Sequence, residues 1–372
     1  MGSKRCPLCG SGQVKKKGFI KSRIHTRRGD IPRKLQRYLC LLCQKNFTYQ
    51  LANKRRRYSQ GLIRAAVKRY LEDSTSLRPV ARDFGISARS LLNWVMRYGR
   101  NAKSPIELAQ ELKPKWSGLL GVDGKELRIK GHDLTVLIAQ DVMTFDPVLF
   151  CLAESENIRE AERFFLIIKD VLRYPTRGIV SDLGRGKIFI ARIEQIFPGV
   201  PHQACVIHYY RYVKRTIPAG KKSPWYHENR ILRKIVHNLL FAQEFTEAKQ
   251  ILKRIQNNRR IFRASYHQTI IRSLERHFNL LSAHFHHPVL VRDNNVTENL
   301  IKQLNRKIKQ SDGFKTRENA DSFLKLWFIH YRFNPFVNSS VSYRNGKAPL
   351  ELAGINIKNL DWLSFSQKHR PS

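Results

Sequence analysis

The sequence is short of negative charge and has no long apolar runs. Asp and Glu number 29 against 69 Lys and Arg in 372 residues, so the formal net charge is +40. No apolar run approaches the roughly 18 residues that a membrane-spanning helix needs, and the N-terminus lacks a signal-peptide core. We therefore expect an intracellular protein with no membrane contact and a polyanion such as nucleic acid as its partner.

Cysteine is also scarce, and its spacing argues against a disulfide framework. Of only six cysteines, four form two C-x2-C pairs, Cys6 with Cys9 and Cys40 with Cys43. Each pair can place two thiolates on one edge of a tetrahedron, and two pairs complete a structural Zn²⁺ site. The segment between them is basic and rich in strand-forming residues. This pattern predicts a zinc ribbon with one Zn²⁺; four reduced surface cysteines are the alternative.

The positive charge is concentrated at the N-terminus, where the first hundred residues carry +21 of the +40. Within them, a short helical segment at 77–84 leads through Gly85 to Ser87, which is typical of an N-cap, and then to a second amphipathic helix. This spacing predicts a helix-turn-helix in which Arg89, Ser90 and Asn93 face a major groove of DNA. A plain αα-hairpin is the alternative.

A run of four cations, residues 54–57, precedes the helix-turn-helix. Arg55 and Arg56 are candidate DNA contacts within it. The run could act as a phosphate clamp, a solvated linker or, in a eukaryote, a nuclear signal, and the sequence alone does not separate these readings.

From residue 117 onwards the pattern changes to short apolar strands separated by turns and two helices. The order is βββαβαβ, with strands at 119–123, 134–139, 148–152, 178–182 and 203–207 and helices at 159–172 and 188–197. An antiparallel meander followed by βα units predicts an α/β, RNase H-like mixed sheet. Helical periodicity from 209 to 287 predicts an all-α insertion, and a last long helix begins near Asn295.

Three carboxylates in this region are candidates for metal-dependent phosphoryl transfer. Asp123 ends the first predicted strand, Asp182 ends the fourth, and these strands are neighbours in such a sheet. Glu298 near the start of the last helix could complete the set, because two Mg²⁺ ions require converging carboxylates. Other acids, namely Glu126, Asp141 and Asp293, are interpreted mainly as salt-bridge or turn residues, although Glu126 or Asp141 could replace Asp123 as the first ligand.

Several short motifs resemble those of the Mutator-like insertion-sequence transposases of the DDE type over roughly residues 117–335. They are Ile179-Val180-Ser181-Asp182-Leu183-x2-Gly186, Phe197-Pro198, Gln203-x-Cys205-x2-His208-x2-Arg211, and Asn295-x2-Glu298-x6-Asn305 with Gly313-Phe314. An N-terminal zinc ribbon with a helix-turn-helix also resembles related insertion-sequence transposases. The resemblance implies an RNase H-like catalytic domain with a helical insertion. It also implies that Asp123 is shared by two Mg²⁺ or Mn²⁺ ions, while Asp182 and Glu298 each hold one.

Further residues are candidates for contacts with DNA. Cys205 and His208 match the C-x2-H signature of that family and could shape the active-site wall or position DNA, or be a buried thiol and a capping histidine. Trp225 could stack on an unpaired base, or be an ordinary core or surface Trp. The candidate phosphate contacts are Arg185, Lys187, Arg211 and Lys302.

Together these patterns predict a zinc ribbon (1–52), a helix-turn-helix domain (53–102), a linker (103–116), a catalytic domain (117–335, with the insertion at about 209–290) and a C-terminal tail (336–372). The resemblance implies a DNA transposase that binds terminal repeats, cuts and joins DNA, and acts as a homodimer or larger assembly on DNA. For a protein of that family we expect a prokaryotic host, with the chain in the cytoplasm and associated with the nucleoid. The alternatives are a transposase-derived DNA-binding regulator without catalysis and an RNase H-like nuclease without strand transfer.

Overall fold

The computed structural model describes residues 4–48, 57–73, 75–155, 157–183, 188–310 and 313–368. The chain divides into two compact units, Met1–Arg97 and Tyr98–Ser372. Four of the predicted DNA contacts, Arg55, Arg56, Arg185 and Lys187, lie outside the described residues.

The first unit begins with a three-stranded antiparallel sheet in the order β1-β2-β3. Its strands are β1 (Val14–Thr26), β2 (Gly29–Cys40) and β3 (Asn46–Thr48). Among described residues 4–48, only Cys6, Tyr38 and Cys40 are buried. Because so little apolar surface is buried, this sheet needs support other than a hydrophobic core.

Three helices follow: α1 (Gln60–Glu72), α2 (Leu77–Asp83) and α3 (Ala88–Arg100). The turn between α2 and α3 contains Gly85 in the left-handed region, with φ of +60°. The Ser87 hydroxyl accepts the backbone N–H of Ser90 at 3.1 Å, as an N-cap does. The predicted helix, glycine turn and capped second helix are therefore all present.

The second unit contains a five-stranded mixed sheet in the order β6-β5-β4-β7-β8. Its strands are β4 (Leu119–Ile129), β5 (His132–Asp141), β6 (Pro147–Ala153), β7 (Gly178–Ser181) and β8 (His202–Ala204). Strands β4 to β6 form an antiparallel meander, and β7 and β8 run parallel to β4. Helix α5 (Ile158–Leu166), which continues as a π-helical turn to Val171, and α6 (Ile188–Ile196) connect β6, β7 and β8. The mixed α/β architecture agrees with the sequence-based prediction.

Two predicted strand bounds were wrong by three residues or more. Strand β4 continues past Asp123 to Ile129, because residues 124–129 pair with residues 132–137 of β5. The last strand ends at Ala204 rather than Ile207, because its parallel partner β7 ends at Ser181, opposite Ala204.

The helical region after β8 consists of α7 (Val206–Thr216), α8 (Tyr226–Leu240), α9 (Phe245–Asn257) and α10 (Ser265–Leu281). These helices share one apolar core that includes Leu232, Val236, Ile271 and Leu274. The helical stripes seen in the sequence are thus core positions of a helical subregion.

The remaining helices are α11 (Asn295–Lys309), α12 (Arg317–Phe333), α13 (Pro349–Leu352) and α14 (Trp362–Phe365). The segment assigned to a linker contains α4 (Pro105–Leu112), whose capping box joins Ser104 and Glu107. The segment assigned to a tail contains α13 and α14, and Phe365 of α14 lies 5.6 Å from Phe333 of α12 between ring centres. Among the helices of the described ranges, none is both long and apolar enough to cross a membrane.

Candidate active site

The first two candidate carboxylates follow paired positions of neighbouring parallel strands. Strands β4 and β7 are in register through Val122 and Ser181, so Asp123 and Asp182 come next on each chain. Asp123 is buried, and its Oδ1 accepts the N–H of Gly124 at 2.8 Å; Asp182 is half-buried. Asp123 lies inside β4 rather than at its end, but the parallel pairing stops immediately before both acids.

The N-terminal end of α11 is fastened to this edge of the sheet. Asn294 is buried, and its side-chain amide donates to the carbonyl of Val122 at 2.9 Å. A Cβ at Gly121 would lie 2.4 Å from Thr297 Oγ1 and 2.6 Å from Asn294 Oδ1. Only glycine at position 121 therefore allows α11 to approach β4 so closely, one residue before Glu298.

Glu298 lies in a strongly cationic environment. Its Oε1 accepts from Arg211 at 2.8 Å and from Lys302 at 3.2 Å. Burial raises the pKa of Glu298, but the two cations outweigh burial and lower that pKa overall. Within the described part of the chain, Glu298 Oε2 is buried and has no hydrogen-bond partner. Glu298 is therefore an ionised group with one oxygen available to a ligand.

Helix α7 directs two side chains of the C-x2-H-x2-R motif towards the acids. His208 is half-buried, and burial lowers its pKa while the nearby charges of Asp182 and Glu298 oppose that shift. Arg211, three residues further along the helix, pairs with Glu298. The two carboxylates from β7 and α11 are thus close enough to act on one imidazole, which the structure keeps in its neutral form near pH 7.

Cys205 connects these elements. Its backbone N–H donates to the carbonyl of Ser181 at 2.8 Å, immediately before Asp182. Its Sγ accepts the backbone N–H of Asn294 at 3.3 Å, immediately before α11. Burial raises the pKa of Cys205, so the group is a neutral thiol. The contacts favour a packing and positioning role over metal binding.

The rival acids are occupied elsewhere. Asp141 is fully buried and accepts from Ser117, Thr144 and Tyr174. Glu126 is exposed and lies on the face of β4 opposite Asp123, because strand side chains alternate. Asp293 Oδ1 accepts the N–H of Asn295 at 3.1 Å, at the start of α11. Asp123 is better placed than any of these to join Asp182 and Glu298.

A second candidate metal site is formed by four cysteines, whose sulfur atoms lie close together. The Sγ atoms of Cys6, Cys9, Cys40 and Cys43 lie within 4.8 Å of one another. In the described ranges, no other group of three or more His, Cys, Asp or Glu side chains brings its ligand atoms this close together. Asp123, Asp182 and Glu298 do not form such a group. Backbone donation from Cys43 is the main cause that lowers the pKa of Cys40 to about 7, which favours a thiolate. This donor set fits a tetrahedral Zn²⁺ ion.

The structure separates the remaining predicted DNA contacts. Arg89 and Asn93 are exposed one turn apart on α3, whereas Ser90 is half-buried and its hydroxyl accepts from Ser87 at 2.9 Å. Trp225 is half-buried at the start of α8 and makes no described contact with the three acids. Arg211 and Lys302 are predicted as phosphate contacts, and both form ion pairs with Glu298.

Comparison with known proteins gives two family matches. Residues 175–326, which include Asp182, Cys205, His208 and Glu298, match the family model described as transposase, Mutator family. Residues 52–117 match a helix-turn-helix model described as transposase. The resemblance to the Mutator-like insertion-sequence transposases is confirmed.

A relative points the same way. An uncharacterized 48.3 kDa protein of insertion element ISM1 from Methanobrevibacter smithii is 24% identical over 351 residues, which cover 86% of this chain and 80% of the relative. Together the matches support an insertion-sequence transposase that binds DNA.

Sequence reasoning missed two residues that build the site. Gly121 sets the distance between β4 and α11, and Asn294 links Val122 to Cys205. Gly121 directly precedes Val122-Asp123, and Asn294 adjoins the Asn295-x2-Glu298 motif, so their positions beside the candidate acids were the available signal.

Proposed function

We propose that the chain is a DDE transposase that cleaves and joins DNA at a two-metal site formed by Asp123, Asp182 and Glu298. The observation that supports the proposal is that Asp123 and Asp182 follow paired positions of β4 and β7, while Asn294 fastens the start of α11, which carries Glu298, to Val122 of β4. The strand order, with a meander followed by two parallel strands, supports an RNase H-like fold for this domain. The helices α7 to α10 then form the insertion between Asp182 and Glu298.

The residues fit divalent metal ions of the Mg²⁺ or Mn²⁺ type. Carboxylate oxygens are the ligands that such ions prefer, and the buried Glu298 Oε2 offers one without a described partner. As the resemblance implies, Asp123 would be a ligand of both ions, and Asp182 and Glu298 would each be a ligand of one. When bound, such ions activate a water or a 3′-hydroxyl and stabilise the leaving oxygen of an in-line displacement.

The neighbouring cations would serve the DNA backbone. Arg211 and Lys302 form ion pairs with Glu298, and they would contact a phosphate when that carboxylate binds a metal ion. Arg185 and Lys187, which follow Asp182 in the sequence, would add phosphate contacts, and Trp225 could receive an unpaired base. His208, whose pKa is lowered by burial, would stay neutral near pH 7 and help to orient Asp182 and Glu298.

The N-terminal unit would bring the element to this site. Arg89 and Asn93 on α3 would read base edges of the terminal repeats, with Ser90 fixing the start of the helix, and one Zn²⁺ would hold the ribbon together. Both ends of an element must be cut together, so at least a dimer is expected on the DNA.

The test is Mg²⁺-dependent cleavage and strand transfer on DNA carrying the element's own ends, with wild type compared with Asp182→Asn. We expect loss of both reactions by at least about 10³-fold, with DNA binding unchanged, because the change removes a ligand charge and little volume. The matched control is Asp170→Asn, an exposed acid at the end of the α5 segment, which should keep full activity.

Other outcomes would favour the other candidates. Binding without cleavage in either protein would favour a regulator, and cleavage without joining would favour a nuclease. Equal activity in wild type and Asp182→Asn would remove Asp182 from the site.

A further inference from the structure

We propose that strands β1 and β2 form a two-stranded DNA-binding arm, here named the basic hairpin (residues 14–40), which enters the major groove beside helix α3. This inference rests on the DNA-binding part of the proposed function and assigns it a second structural element. The occupant is duplex DNA rather than protein or RNA.

The first observation is the charge of the basic hairpin. Its 27 residues contain ten Lys and Arg and a single acid, Asp30. Asp30 is already engaged, since its carboxylate contacts His25 Nδ1 at 2.5 Å and Arg23 Nη1 at the longer distance of 3.9 Å. The cations therefore have almost no counter-charge within the hairpin, and a polyanion is the matching partner.

The second observation is the arrangement of these charges on one face. Lys21 and Lys34 are directly opposite each other across the strands, and Arg23 follows two residues after Lys21 on the same face. All three side chains are exposed. Like charges directly opposite in an antiparallel pair destabilise it, so the fold itself gains nothing from this pair. A phosphate between them would turn the repulsion into attraction.

The third observation is exposed apolar surface on a hairpin with little core. Phe19 lies on the same face as Lys21 and is 66% exposed, while Ile31 on the opposite face is 55% exposed. A two-stranded ribbon of this kind is marginally stable alone. A B-form major groove is wide enough to admit such a ribbon, with cations meeting the phosphates and apolar groups meeting base edges.

The fourth observation connects the hairpin tip to the helix-turn-helix. His25 in β1 donates its N–H to the carbonyl of Arg57 at 2.8 Å and accepts from the N–H of Ser59 at 2.9 Å. The Tyr58 ring between them lies 5.1 Å from that of Trp94 on α3. The basic hairpin and α3 are thus joined through one short segment, and both can engage the same duplex.

The experiment measures binding of the full-length, zinc-loaded protein to a labelled 25-bp DNA duplex by fluorescence anisotropy. No Mg²⁺ is added, and the salt concentration is varied. The variant is the triple change Lys21→Gln, Arg23→Gln and Lys34→Gln. The control removes the same charge from exposed positions of α9, through Lys249→Gln, Lys253→Gln and Arg254→Gln.

If the basic hairpin contacts phosphates, the slope of log affinity against log salt should fall by about 2 to 3 in the hairpin variant, since each phosphate contact contributes about 0.9. Affinity near physiological salt should weaken at least about tenfold. The α9 variant should keep the wild-type slope. Thermal stability of the hairpin variant should be close to that of wild type, because loss of the Lys21–Lys34 repulsion offsets loss of the exposed Arg23–Asp30 pair, so weaker binding cannot be attributed to unfolding.

Two results would overturn the proposal. One is an equal change of slope in the hairpin and α9 variants, which would show a general effect of net charge. The other is an equal loss on duplex RNA of the same sequence, whose deep and narrow major groove does not admit a ribbon. Because the assay involves no cleavage, its result is independent of the Asp182→Asn test, and either proposal can fail while the other stands.

Discussion

At the scale of single residues, the candidate site depends on the absence of a side chain at position 121. Gly121→Ala would place a Cβ within 2.4 Å of Thr297 Oγ1, and because both groups are buried, α11 must move away from β4. We expect cleavage to fall by at least about 10²-fold, since a shift of about 1 Å at Glu298 is enough to misplace a ligand. Stability should fall by about 1–3 kcal/mol, as for other overpacked cores.

The measurement is cleavage rate and urea unfolding of the purified variant, with Gly220→Ala as the matched control. A Cβ at Gly220 meets nothing within 4 Å, and that residue should tolerate the change. Full activity in Gly121→Ala would show that the position of α11 does not govern the reaction.

That Asp123 and Asp182 follow paired positions of neighbouring strands could be predicted from the sequence, because both acids come after short apolar segments that are neighbours in a meander-plus-parallel sheet. The clamp between Cys205 and Asn294 could not, since the two residues are 89 positions apart and their contact exists only in three dimensions. The ion pairs of Glu298 were missed for the same reason: Arg211 was read as a phosphate contact and not as a partner of the acid.

At the scale of elements, the N-terminal sheet should depend on its metal ion. Only Cys6, Tyr38 and Cys40 are buried among described residues 4–48, so removing one ligand removes most of what holds the sheet. We expect Cys9→Ser, or a zinc chelator applied to wild type, to abolish binding of one Zn²⁺ per chain and to expose residues 4–48 to proteases. The unit Tyr98–Ser372 should keep its melting temperature, because its core does not include these cysteines.

The checks are zinc stoichiometry, limited proteolysis and calorimetry, with Cys151→Ser as the control cysteine outside the cluster. A metal-free protein with an unchanged proteolysis pattern would contradict the prediction.

The bounds of the elements could be predicted where the periodic segment was long. The prediction failed where the segment was short. Helices α3 and α11 begin within about two residues of the predicted starts, because capping residues mark them. Strand β4 was predicted too short, since Gly124-Lys125-Glu126 has the composition of a turn, and only its pairing with residues 135–137 of β5 makes it a strand.

At the scale of the whole molecule, we expect stability to fall as the pH drops below neutrality. Burial is the largest cause that lowers the pKa of His202 and of His330 to about 4. In the unfolded chain these groups bind a proton near pH 6.5, whereas in the folded chain they stay neutral until about pH 4. The unfolded state therefore binds more protons between pH 6.5 and 4, so stability decreases as the pH falls through that window.

The size of the effect can be tested at His330, which lies 5.2 Å from Trp362 between ring centres and feels the charge of Lys307. Between pH 7 and pH 5 this one histidine should contribute about 2 kcal/mol of lost stability. His330→Phe should remove that share and flatten the dependence of the urea midpoint on pH, while His227→Phe, at an exposed position, should leave it unchanged.

The formal charge of +40 rises further in acid and adds self-repulsion in wild type and variants alike, so only the difference between the two phenylalanine variants reports the buried histidine. An equal pH dependence in both would show that His330 is protonated in the folded chain above pH 5.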